Sequence, residues 1–214
     1  MVKLIINADD FGYSKIFNEV ILELIENKFV SSTTVMVNWI DESQEDQIKK
    51  LLELASNVNV SVGLHLEFEN EDYEKQMKEQ YKKFVEIFGV KPSHIDTHKT
   101  HSKSYLRVCD FAKGLNVPTR NHGVLSEGVM TTAEIYYNGT RNDLKDIDNW
   151  LKTLKNDEFY EILFHPGQYD PKSASSLNKA REKDAQKIRD LHLLFEKYNI
   201  QLKSFNDLFV SKNI

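Results

Sequence analysis

Lys3-Leu4-Ile5-Ile6-Asn7-Ala8-Asp9-Asp10-Phe11-Gly12 reads as a strand that runs into two adjacent carboxylates. The apolar run at 3–8 is rich in strand-forming residues, and a segment of helical period follows at about 15–28. In that segment Ile16, Phe17, Val20, Ile21, Leu24 and Ile25 form one stripe, with Ser14 placed to cap it. Asp9 and Asp10 before Gly12 and Ser14 would by themselves read as a turn or a helix cap. The strand immediately before them argues instead for the carboxyl end of a strand in a β-α unit.

The alternation continues along the chain. Strands are expected at 32–37, 58–66, 93–97, 117–120, 158–164 and 200–204. Helices are expected at 44–55, 71–88 (ending on Gly89), 105–115, 143–155 and 180–198, with a short helix at the C-terminus. The stretch 121–139 carries no clear period. About seven to eight strands alternating with helices, and no linker or fixed-period repeat, point to one α/β domain over 1–214. The candidates are a β/α barrel and an open doubly wound sheet.

Composition narrows the function classes. The 214 residues are 40% hydrophobic and 29% charged, ordinary for a globular chain. A net charge of −5 gives no electrostatic footprint for nucleic acid or an anionic membrane. The N-terminal apolar stretch is too short for a signal peptide or a membrane span. Cys109, the single cysteine, excludes an internal disulfide framework, fits a cytoplasmic location, and reads as a small core residue.

Chemistry concentrates where expected strands end: Asp9-Asp10, His65, His94-Ile95-Asp96-Thr97-His98, and His165 before Pro166-Gly167. In a parallel β/α architecture those ends meet on one face, the face that carries active sites. Asp10, His65 and His98 supply one carboxylate and two imidazoles, a set that leaves positions on a divalent ion open for water and substrate. Such a set suits zinc or another transition metal. Every second residue of a strand shares a face, so Asp96 falls on the side of His98, deeper, where it can orient a ligand histidine. An ion of this kind supports hydrolysis, with Asp9 as general base and His165 as general acid. Arg120 is a candidate clamp for a substrate phosphate or carboxylate, or else a salt-bridge arginine. His101 reads as a loop or substrate contact, and His122 and His192 read as surface residues.

These stretches resemble the YdjC/ChbG family of carbohydrate deacetylases. The resemblance rests on Asn7-Ala8-Asp9-Asp10-Phe11-Gly12 with Ser14, Ser31-Ser32-Thr33-Thr34, Val37-Asn38, Gly63-Leu64-His65-Leu66, Lys91-Pro92-Ser93-His94-Ile95-Asp96-Thr97-His98, and His165-Pro166, in that order. It implies a distorted TIM-like (β/α) barrel and one divalent metal, magnesium by this resemblance, on Asp10, His65 and His98. It also implies Asp9 and His165 as catalytic residues and a small carbohydrate substrate such as diacetylchitobiose or its phosphate. Phe11 and Thr100 join Arg120 as candidate substrate contacts. Thr100 and Ser102 stand where the family usually carries further histidines, and the segment between His65 and His94 is compact. A metal-dependent phosphoesterase and an inactive sugar-binding barrel are the competing readings. A homodimer is compatible with the exposed aromatics.

Overall fold

The computed structural model describes residues 1–99, 102–137 and 142–210. Its seven strands are all parallel and form one sheet in the order β4-β3-β2-β1-β6-β5, with β7 also on β1. They are β1 (Val2–Phe11), β2 (Ser32–Val35), β3 (Ser61–Leu66), β4 (Ile95–Thr97), β5 (Glu134–Tyr136), β6 (Phe159–Phe164) and β7 (Ile200–Leu202). The helices between them are α1 (Lys15–Glu26), α2 (Glu45–Asn57), α3 (Tyr73–Phe88), α4 (Tyr105–Gly114), α5 (Leu144–Leu151), α6 (Arg181–Leu191) and the terminal α7 (Asp207–Val210).

Strand β1 is long enough to serve three neighbours. Lys3–Ala8 pairs with β6, Val2–Leu4 with β7, and Asn7 to Phe11 with β2. The sheet curls, and its far edges are linked by polar contacts. The segment after α4 touches β4 at one bridge, Ile95 to Thr119. The Thr119 amide donates to the Met130 carbonyl, and the Asn121 side chain donates to the Thr132 and Ala133 carbonyls.

Alternation along the strands sorts the two faces. Leu4, Ile6 and Ala8 join the main core with Ile21, Leu24 and Ile25 of α1, as the helical stripe predicts. Ile5, on the opposite face, packs with Phe205 and Leu208, so the terminal segment plugs the bottom of the curl. Above that plug the interior becomes polar. His94 stacks on Phe205 at 3.8 Å between ring centroids, and Ser32 Oγ lies 3.4 Å from its Nε2. Gly63 makes room for this ring: a Cβ at that position would sit 2.6 Å from both His94 nitrogens. Burial drives the His94 pKa down to about 3, so the stacked imidazole is neutral.

Several expected boundaries move. The helix expected at 180–198 ends at Leu191 and passes into a 3-10 turn, His192–Leu194. His192, expected on the surface, is partly buried: its Nε2 lies 2.9 Å from the Phe29 carbonyl and its ring stacks on Phe195 at 4.2 Å. That contact ties the turn to the loop before β2. The strand expected at 117–120 is reduced to its single bridge, and the helix from 143 stops at Leu151 behind a capping box built by Asp143 and Asp146. The stretch 121–139 contains β5, whose pairing with β6 supplies an order its own residues do not signal. Among the described residues no helix is long and apolar enough to cross a membrane.

Candidate active site

The carboxyl ends of β1, β3, β4 and β6 bring Asp9, Asp10, His65, His98 and His165 to one cleft of about 790 Å³. The backbone of β1 breaks register between Ala8 and Phe11, and Asp10 there takes the left-handed conformation at φ 74°. A non-glycine residue pays for that geometry, which is found where the surroundings over-determine it. Its effect is to turn two consecutive carboxylates into the same cavity, which a regular strand would send to opposite faces.

The two aspartates are held differently. Asp10 Oδ2 accepts from Arg181 Nη2 at 2.5 Å. Its buried Oδ1 has no hydrogen-bond partner and lies 3.4 Å from His65 Nε2 and 3.3 Å from His98 Nδ1. His65 Nδ1 is 2.5 Å from Asp96 Oδ1. Because a carboxylate only accepts, Nδ1 carries the hydrogen and Nε2 is turned toward Asp10. Asp96 thus occupies the orienting position that strand alternation gives it. Ligand atoms of Asp10, His65 and His98 all lie within 4.8 Å of one another, and the donor chemistry fits a divalent ion.

Asp9 sits one step deeper in a full set of donors. Arg120 binds it with two nitrogens, at 2.8 and 3.0 Å, Thr34 Oγ1 donates at 2.9 Å and Asn7 Nδ2 at 2.5 Å. Burial favours the neutral acid, but the Arg120 charge outweighs it and holds the Asp9 pKa well below the usual range. Asp10 is lowered too, burial being overcome by the facing imidazoles of His65 and His98. Burial also opposes a charge on His65, yet Asp96 and Asp9 raise its pKa well above the ordinary value. The Asp9 Oδ2 atom lies 3.8 Å from His165 Nε2.

Arg120 is not a surface group. Only 2% exposed, it is enclosed by Asp9, Asp96 and Glu161, with 2.8 Å contacts to Glu161 Oε1 from Nε and Nη2 and a close ion pair from Nη1 to Asp96. Its hydrogen-bonding capacity is committed to the protein's own carboxylates, which argues against a substrate clamp. Phe11 is fully buried in the core, behind the cleft wall. Thr100 and His101 lie outside the described residues. His122, expected to face solvent, lines the cleft instead: its ring stacks on Tyr105 at 4.2 Å and its Nδ1 is 2.8 Å from the Tyr137 hydroxyl. Burial lowers its pKa to about 4.

Two functional neighbours escape a reading of strand ends. Glu161 lies inside the apolar run Phe159-Tyr160-Glu161-Ile162-Leu163-Phe164, and a charge in the middle of a buried strand is a usable signal. Arg181 begins a highly charged helix, where nothing distinguishes it. It lies 1% exposed over the Phe17 ring at 4.0 Å, between Asp10 and Ser175.

A carbohydrate deacetylase from Clostridium beijerinckii is 31% identical over 251 aligned positions, covering 97% of this chain and all of the relative. Carbohydrate deacetylase 2 of Listeria innocua is 28% identical, covering 97% and 99%. Among solved structures, an Enterococcus faecalis protein assigned to cellobiose-phosphate cleavage superposes with a TM-score of 0.76 at 21% identity, over 97% of this chain and 98% of that one. A family 4 acetyl xylan esterase from Clostridium thermocellum, solved with a cobalt ion, gives 0.60 at 11% identity, over 99% and 92%. These structural likenesses bear on the fold alone. The family model for YdjC-like protein matches residues 3–74 and 68–198. With that model spanning most of its length and a relative aligned end to end, the chain belongs to the YdjC-like protein family.

Proposed function

We propose that this protein is a metal-dependent carbohydrate deacetylase that hydrolyses the acetamide of an N-acetylated sugar, a short chito-oligosaccharide such as diacetylchitobiose or its phosphate. The observation that carries the reading is Asp10 Oδ1, a buried carboxylate oxygen without a hydrogen-bond partner, faced by two imidazole nitrogens and backed by Arg181. Asp10, His65 and His98 would hold the ion, magnesium by family and zinc or another transition metal by donor type. A divalent ion bound there would lower the pKa of water and polarise an acyl oxygen.

The remaining chemistry falls to the chain. Asp9, kept ionised by Arg120, accepts a proton from the attacking water. Arg120 lowers the basicity of Asp9 but fixes the orientation of its carboxylate. His165 donates to the departing nitrogen. Because Asp9 Oδ2 faces His165 Nε2 at 3.8 Å, the proton taken from water is released beside the group that must supply one. Asp96 keeps His65 in a single ring orientation throughout.

The deciding experiment is acetate release from N,N'-diacetylchitobiose and its 6-phosphate by chelator-treated protein, before and after divalent ions are restored. Ion-dependent release that is lost in Asp9→Asn supports the reading. Ion binding without release from either sugar would move the function to another acylated substrate or to a phosphoester. The buried lone Cys109 agrees with a cytoplasmic enzyme.

A further inference from the structure

The cleft has one wall whose construction the hydrolytic chemistry does not use. Trp39 sits at the mouth, in the 3-10 turn that follows β2, and is 43% exposed. An exposed indole is ordinarily free to move, but this one is fixed on three sides. Its ring stacks on Tyr13 at 4.4 Å and 15°, its Nε1 donates to Glu67 Oε2 at 2.9 Å, and its carbonyl accepts from Gln44 Nε2 at 3.0 Å. The residues that fix it are themselves held. Tyr13 packs on Phe17 at 6.0 Å, and the backbone of Glu67 is bonded at both its amide and its carbonyl to the buried Gln80 side chain.

Rigid, flat and apolar, with a carboxylate at its edge, this surface matches one face of a pyranose. Axial C–H groups of a sugar pack on an aromatic ring while its equatorial hydroxyls reach groups at the rim, and an indole held in place loses little entropy on contact. The position is also right. Tyr13 lies 6.5 Å from the His98 ring and 4.4 Å from Trp39, so it bridges the indole and a ligand histidine along the cleft wall.

Charge decides which sugar. Glu67 borders the indole, and Asp9 and Asp10 line the floor. Arg120, which also lines the cleft, is already shared among Asp9, Asp96 and Glu161. A hydroxyl or an ammonium on the ring at Trp39 would find an acceptor in Glu67. Resting on the deacetylase reading for what happens at the neighbouring ring, we propose that Trp39 and Glu67 form a second sugar subsite for a neutral or amine-bearing pyranose.

Two measurements on the ion-loaded protein test it. The chain has two tryptophans, and Trp150 is nearly buried, bonded to Glu134 and packed on Tyr136, so the fluorescence difference between wild type and Trp39→Phe isolates Trp39. Diacetylchitobiose should change that difference signal saturably, and N-acetylglucosamine should do so only at much higher concentration. In acetate release, Trp39→Ala should raise KM for the disaccharide up to about tenfold with a much smaller change in kcat, and Trp39→Phe should recover most of the loss. A fluorescence response without acetate release would sustain the subsite while removing the deacetylase reading. Acetate release with disaccharide KM unchanged in Trp39→Ala would overturn the subsite.

Discussion

Replacing Glu161 by Gln should remove a pH dependence from the stability of the fold. Glu161 is fully buried; its Oε1 receives Arg120, and its Oε2 has no hydrogen-bond partner. Burial lifts its pKa, the Arg120 charge pulls it down, and the charges of Asp96 and Asp9 push it up again, leaving it at about 7 against an ordinary 4.5. The folded state therefore keeps a proton that the unfolded chain gives up between these two values. Stability from this group is complete below pH 4.5, falls as pH rises, and is lost by the time pH passes 7. One pKa unit corresponds to about 1.4 kcal/mol, so the swing across the window is on the order of 3 kcal/mol. That is a large share of the roughly 5–15 kcal/mol that holds a typical domain together. Urea unfolding of chelator-treated wild type and Glu161→Gln, every half unit from pH 4.5 to 8, reads the difference directly. The wild type should lose stability relative to the variant as pH rises. Two curves that run parallel across the whole window would refute the assignment of a proton to Glu161.

Three further outcomes follow from other contacts. His65→Ala and His98→Ala should each weaken divalent-ion binding by at least about 10-fold in calorimetry while circular dichroism stays native, since loss of even an orienting partner costs that much; undiminished binding would remove them from the ion site. Gly63→Ala should destabilise the protein by about 1–3 kcal/mol, because its new methyl group would overlap the His94 ring held on Phe205. Adding His94→Ala should recover part of that cost, and a strictly additive double-mutant cycle would contradict the overlap. Ser14→Ala should cost about 1–2 kcal/mol in denaturant unfolding, since its hydroxyl both caps α1 at the Ile16 amide and donates to Asp170; a neutral effect would show that neither bond matters.

Most of the barrel is legible in the sequence because apolar periodicity is a local property. The run before Asp9, the stripe on α1 with its Ser14 cap, and Gly89 with φ 72° at the end of α3 all depend on neighbours in the chain. The convergence of Asp10, His65 and His98 follows from strand direction alone. What stays hidden is set by distant partners. Arg120 can be read as a clamp or as a salt-bridge residue until three carboxylates from β1, β4 and β6 are seen around it. His122 and His192 look like surface histidines in polar or charged stretches, and only Tyr105, Tyr137 and Phe29 reveal their packing. Strand β5 has three residues and owes its order to β6.

The carboxylates gathered beneath the cleft have a consequence for electroneutrality. Asp9, Asp10, Asp96 and Glu161 bring four negative charges when fully ionised, while Arg120 and Arg181 bring two positive ones, all in a region shut off from solvent. The deficit is that of one dication. Without an ion the cluster makes up the shortfall with protons, so ion uptake is an exchange: protons leave for the solvent as the metal enters. Such a site holds its ion less tightly as the medium becomes more acidic, and it hands the buffer a countable number of protons each time it fills.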